Sequence, residues 1–219
     1  MKAIVAITLF LATGRALVWV PILRRDPTDA QSVNFARDLS GFEEPFGNPE
    51  GSFWMGLSGI HQLTRRQPDG LARMRVRLEG CDGETAEAYY EQFAVGDASS
   101  GYALHVDGYN AALSTAGDSM TSEMNGGLFN LHGMRFSARD VDTDNHQQQN
   151  CAQQLLGAWW FNSCGMSSLL GEHKGEECDR GAYVDGILWV SWRGPFYSAR
   201  SVVVEIESDE DSFLIADVV

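Results

Sequence analysis

A chain of 219 residues with 44% hydrophobic and 11% aromatic content has the apolar material for one large core, which excludes disorder through most of its length. Its 30 acidic against 16 basic residues give a formal net charge of −14, and a field of that sign repels phosphate backbones, so nucleic acid is excluded as a partner. The 23 glycines against 6 prolines predict a loop-rich fold with many turns.

The first stretch, MKAIVAITLFLATGRA (1–16), reads as a secretory signal peptide. Lys2 gives the positive start, and residues 3–12 form an apolar run shorter than the about 20 residues a membrane span needs. The small residues Ala12, Gly14 and Ala16 offer cleavage points. A buried first strand is the competing reading. With a secretory signal and no membrane span, the expected location is extracellular.

Short helices are predicted over 32–42 (SVNFARDLSGF, with Ser32 as cap) and 59–66 (GIHQLTRR). Residues 74–80 (MRVRLEG) alternate as a strand does, whereas TAEAYYEQFAVG (85–96) fits helix and strand equally. ILWVSW (187–192) and SVVVEIES (201–208) are further strands. Turn signals such as GNPEG, QPDG, CDGE and VDGYN separate these elements, and little periodicity appears between about 110 and 186. The fold class expected is α+β, with a central antiparallel sheet, short helices and long loops. EIESDEDSF (205–213) holds five carboxylates, and 208–219 reads as an acidic, solvated tail.

The aperiodic region carries the chemistry. Asp140, Asp142 and Asp144 alternate in DVDTDN, a pattern of hard oxygen donors that suits calcium. An EF-hand does not fit, because Asn145 and Cys151 stand where that loop needs glycine and glutamate. In an exported chain the four cysteines form disulfides in one of three pairings. A small Cys151–Cys164 loop is the simplest, leaving Cys81 and Cys178 either paired or free. Trp159 and Trp160 between them are a sugar-stacking platform or core, and core is favoured. The five histidines show no metal-ligand spacing, no GxSxG elbow is present and oxidised cysteines are not nucleophiles, so no catalytic residues are assigned and no enzyme is expected.

The order NPEGSFWMGLSGIHQLT (48–64), RVRLEG (75–80), YALHVDGY (102–109), AGDSM (116–120), HGMRFSARDVDTD (132–144), NCAQQLLGAWWFNSC (150–164) and DGILWVSWRGPFYSARSVVVEI (185–206) resembles the fibrinogen C-terminal domain family, which includes ficolins, tachylectins and angiopoietins. The resemblance implies one such domain over 17–207, with a loop-rich C-terminal subdomain holding calcium and ligand and without the family's N-terminal subdomain. It implies a Cys151–Cys164 disulfide and a Ca2+ ion on the carboxylates of Asp142 and Asp144 and the carbonyls of His146 and Gln148. Between Asp144 and Cys151 the chain has one residue more than the family pattern, and Gln149 replaces a glycine. The acetyl pocket of ficolin-like members maps onto Leu155, Gly165 and Tyr183 beside Cys164, and Tyr183 alone keeps the family's residue. The segment 121–134 is longer than usual, an insertion or a specificity loop. The implied function is lectin-like binding of glycans or glycoproteins, with a role in innate immunity. The alternative is a signalling ligand of the angiopoietin type for a cell-surface protein receptor. Homo-oligomers are expected in either case.

Overall fold

The computed structural model describes residues 17–29, 33–179, 181 and 184–209. The signal segment 1–16, Ser32, Tyr183 and residues 210–219 lie outside the described residues. Among those described, no helix is long and apolar enough to cross a membrane.

Strand β1 (Leu17–Arg25) opens the chain, followed by α1 (Leu39–Glu43), β2 (Phe46–Gly47), β3 (Phe53–Trp54) and α2 (Leu57–Thr64). Next come β4 (Ala72–Glu79), β5 (Thr85–Val95) and β6 (Leu104–Tyr109). Among its described residues, the long irregular stretch after β6 contains only α3 (Cys151–Gln154), β7 (Ser167–Ser168), β8 (Leu188–Trp189) and α4 (Val190–Arg193), before β9 (Ser201–Asp209) returns to the sheet. That sheet has seven strands in the order β2-β3-β1-β9-β4-β5-β6, every pair antiparallel. The fold is α+β, as expected.

Alternation explains the sheet. Met74, Val76 and Leu78 of β4, Val202, Val204 and Ile206 of β9, and Ala86, Ala88 and Tyr90 of β5 all point inward and are buried. Helix α2 lies on this side, with Leu57, Ile60, Leu63 and Thr64 buried and the His61 Nδ1–H donating to the Val95 carbonyl at 2.8 Å. The other face is polar and cross-linked between strands. Glu205 receives Arg75 at 2.6 Å and Arg77 at 3.1 Å, Arg73 reaches Glu207 at 2.7 Å, and the Arg75 guanidinium sits 4.5 Å from the Trp19 ring centre.

Three sequence expectations are corrected. The helix predicted over 32–42 is confined to Leu39–Glu43. Ahead of it, Asn34 Oδ1 accepts the Ala36 N–H at 2.8 Å and Phe35 is buried under the Arg25 guanidinium at 3.9 Å, which holds the chain in an Asx turn. The helix predicted over 59–66 begins two residues earlier and ends at Thr64. The strand predicted over 187–192 keeps only Leu188–Trp189, and Val190–Arg193 form a helical turn. Ser191 causes the break, its N–H donating to Ser119 Oγ at 3.0 Å and its hydroxyl to the Ala116 carbonyl at 3.0 Å. The ambiguous stretch 85–96 is strand β5 as far as Val95. At the C-terminus β9 runs to Asp209 with Ser208 fully buried, so these first two residues of the expected acidic tail belong to the sheet, and the rest lies outside the described residues.

Behind the sheet an aromatic cluster joins the two halves of the chain. Phe136 contacts Trp160 at 5.1 Å and Phe42 at 5.5 Å between ring centres, and Trp159 contacts Trp160 at 4.9 Å. Trp159 and Trp160 are both core residues, with indole N–H groups donating to Ser167 Oγ and to the Tyr102 carbonyl. Two disulfides are present, Cys151–Cys164 and Cys81–Cys178. The second, which the sequence left open, fastens the segment before β8 to the β4–β5 turn across 97 residues of chain.

Candidate functional site

The aspartate run does not act as one cluster. Its start is held by two backbone bonds between Ser137 and Trp159, at 2.9 and 3.1 Å, and by a tight turn from Ala138 to Val141. Asp140 then turns away, its Oδ1 accepting the Leu39 N–H at 2.9 Å at the first residue of α1. Asp142 and Asp144 remain. Asp142 Oδ1 accepts the Asp144 N–H at 3.2 Å, while the two oxygens of Asp144 take the N–H groups of His146 and Cys151 at 2.8 Å each. Asp144 thus ties the loop directly to the Cys151–Cys164 bridge, and Asn150 caps α3 by accepting the Gln153 N–H.

Burial pushes the Asp144 carboxyl above the ordinary carboxylate range. The Cys151 and His146 N–H groups oppose that, and the neighbouring Asp142 charge adds to it. A divalent cation would offset both causes. Among the described residues the carbonyls of His146 and Gln148 accept no internal hydrogen bond, so these oxygens are unspent. No group of three or more acidic, histidine or cysteine side chains converges among the described residues, so carbonyls and water would have to complete a shell begun by two carboxylates. This all-oxygen donor set fits calcium rather than a softer metal.

Beside the loop opens a cleft of about 810 Å3. It brings together four residues assigned from the sequence: His146, Leu155, Cys164 and Gly165. Asp142 and Asp144 are not on its wall. Tyr183 is outside the described residues, though Val184 lines the cleft. Gly165 has φ +136°, which a side chain rarely adopts, and a Cβ there would come within 2.9 Å of Leu131 Cδ2. A side chain at 165 would thus need both a strained backbone and a shift of Leu131.

Sequence reasoning missed most of the wall. Met124 and Phe129 reach it from the long 121–134 segment, and Leu156, Met166, Leu188 and Val190 add to it. The one signal was that segment's extra length. Asn162 fastens it in place, donating to the carbonyls of Gly127 at 3.2 Å and Asn130 at 2.9 Å, and the Ser163 N–H donates to the Leu128 carbonyl. At the segment's far end His132 and His105 rings meet at 4.6 Å, with His132 Nδ1–H bonded to the Val106 carbonyl. Met124, Leu156 and Val184 are 62%, 50% and 41% exposed, so apolar side chains rise around the opening.

The family model for the C-terminal globular domain of fibrinogen beta and gamma chains matches residues 13–208. Bovine angiopoietin-4 is 36% identical over 84% of this chain and 33% of its own, and bovine fibrinogen-like protein 1 is 35% identical over 88% and 60%. Mouse fibrinogen C domain-containing protein 1 is 38% identical over 83% of this chain and 36% of its own. The chain thus spans between a third and three fifths of these relatives. The fibrinogen-like globe domain of human ANGPTL2 superposes with a TM-score of 0.75 at 33% identity, covering 87% of this chain and 80% of that one. Lamprey fibrin D-dimer, complexed with the peptide ligand Gly-His-Arg-Pro-amide, superposes at 0.76 with 28% identity over 87% and 61%.

Proposed function

The chain belongs to the fibrinogen C-terminal domain family, and on that footing we propose that it is a secreted, non-enzymatic recognition domain whose ligand enters the cleft beside the Asp142–Asp144 loop. The ligand is a segment of a partner protein. The observation that carries this is the apolar wall and rim, in which nine apolar side chains, Met124, Phe129 and Met166 among them, outnumber the five polar ones, His146, Gln154, Ser163, Ser167 and Asp185, that could bond sugar hydroxyls. Methionine and aromatic side chains in such a setting are typical anchors of protein interfaces. The lamprey fibrin relative, complexed with a short peptide, supports the same choice.

Calcium, when bound, supplies charge that stiffens the loop, and Asp142, Asp144 and the carbonyls of His146 and Gln148 are the residues that would hold it. Asp144 passes that stiffness to Cys151 through its hydrogen bond, and Cys164 carries it to the cleft floor at Gly165. A preformed wall lowers the ordering entropy of binding.

Acetylated glycans are the second reading, favoured by the floor of Leu155, Cys164 and Gly165, against which an acetyl methyl group would sit. A glycan array read in calcium and in chelator decides between them. No calcium-dependent glycan signal is expected. Retention of N-acetylated sugars in calcium alone, lost on Met124→Ser, would replace the protein reading with the glycan one.

A further inference from the structure

Leu156 stands between two hollows. It lines the cleft and, on its other side, a second cavity of about 340 Å3. Phe35, Ala152 and Ala158 give that cavity an apolar lining, and Arg37, Arg139 and Glu172 also border it. Leu156 follows the C-cap of α3 and has φ +51°, a place where glycine or asparagine is the unstrained choice. Leucine there is strained and half exposed at once, so local stability does not explain it.

The two arginines are anchored through Nε, Arg139 by an ion pair with Asp38, and their terminal N–H groups are left for a further partner. The Arg37 guanidinium lies 3.9 Å from the Phe46 ring centre and its Nε donates to the Asn34 carbonyl at 2.8 Å. Arg139 Nε donates to Asp38 Oδ1 at 2.8 Å. In both cases the terminal N–H groups have no partner among the described residues. Glu172 is held by Lys174 at 2.9 Å, which offsets its charge. Guanidinium forks fixed through Nε are suited to a carboxylate.

We propose that the two hollows are subsites for one extended peptide segment of a partner protein. Its apolar side chains fill the first cleft, it rides over Leu156, and it delivers an aspartate or glutamate to Arg37 and Arg139. This rests on the protein-partner reading of the cleft. The net charge of −14 works against a run of acidic residues. A single carboxylate is different, because salt near 0.1 M screens the remaining surface beyond about 10 Å while the contact itself is unscreened.

The test uses a displayed library of random peptides, selected on the wild-type protein in calcium. Binding of the selected peptides is then measured on Leu156→Gly, on Arg37→Ser with Arg139→Ser, and on Met124→Ser. Leu156→Gly removes the strain as well as the ridge, so its melting temperature should hold or rise while affinity falls on the order of tenfold. A purely structural role for Leu156 predicts no such split. Selected peptides should carry an acidic residue whose amide replacement weakens binding to wild type and has no further effect on the arginine variant. Peptides lost on Met124→Ser but indifferent to Leu156 and the arginines would overturn the second subsite and leave the cleft reading standing. Failure to select any peptide, or indifference to all three variants, would overturn both. An anionic glycan retained through Arg37 and Arg139 would overturn the peptide as occupant.

Discussion

The sheet and the stretch from residue 110 to 200 are held together by different means. In the sheet, β1, β9, β4 and β5 run in long antiparallel ladders, with an apolar inner face and ion pairs across the outer one. In the second region the strands are two residues long, and cohesion comes from side chains bonding to backbone, from buried indoles and from two disulfides. The cleft is built in the second region. Irregular backbone can present the edges, hollows and exposed side chains that a pleated ladder cannot, provided that something other than repetitive hydrogen bonding stiffens it.

Phe93→Ala should test the ladder side most severely. Phe93 is 1% exposed, and truncation in such a core costs about 3–5 kcal/mol, measured by denaturant unfolding. On the irregular side, replacing Cys151 and Cys164 together by serine should lose roughly 3 kcal/mol and bring early protease cleavage between 124 and 165. A loss below about 1 kcal/mol would mean that hydrogen bonds alone hold this region. Calcium should raise the melting temperature, by an amount equivalent to about 2.7 kcal/mol at a hundredfold excess over its Kd, and Asp142→Ala should abolish the rise. An unchanged response in that variant would place the ion elsewhere.

A smaller effect should come from the His105–His132 contact, where sheet and loop meet. Burial, with His132 second, holds the His105 pKa below its ordinary 6.5. The folded protein therefore binds fewer protons than the unfolded chain just below that pH. Stability from this contact is complete above pH about 6.5 and falls as pH drops towards the lowered value, and His105→Gln should flatten the change. Least of all should be Arg73→Ala, which removes an exposed pair with Glu207 and should shift stability by about 0.5 kcal/mol or less.

The two regions also differed in how far they could be read from the sequence. Strands β4 and β9 were legible because one face of each is buried and the residues alternate accordingly. In β5, alanine and glutamate mixed with tyrosine left helix and strand level, and pairing with β4 and β6 settled the matter from outside the segment. Ile187–Trp192 read as a strand because nothing local reveals that Ser191 will bond to residues near 119. Ordered motifs pointed to the loop carboxylates and to Cys164, which lines the cleft, but not to the cleft residues Met124, Phe129 and Leu156. Those side chains become neighbours only after Asn162 and the disulfide have folded distant segments together.

The pairing of β1 with β9 places Leu17 opposite Asp209, so the two ends of the domain leave side by side from adjacent strands. A force pulling those ends apart acts on the β1–β9 ladder one rung at a time, peeling it rather than shearing many bonds together. Because both strands are central in the sheet, that peeling would split the sheet down its middle. The domain is therefore mechanically weak between its own ends. A tether on one end, with the partner pulling on the cleft, does not load the two ends against each other and so spares those rungs this direct peeling.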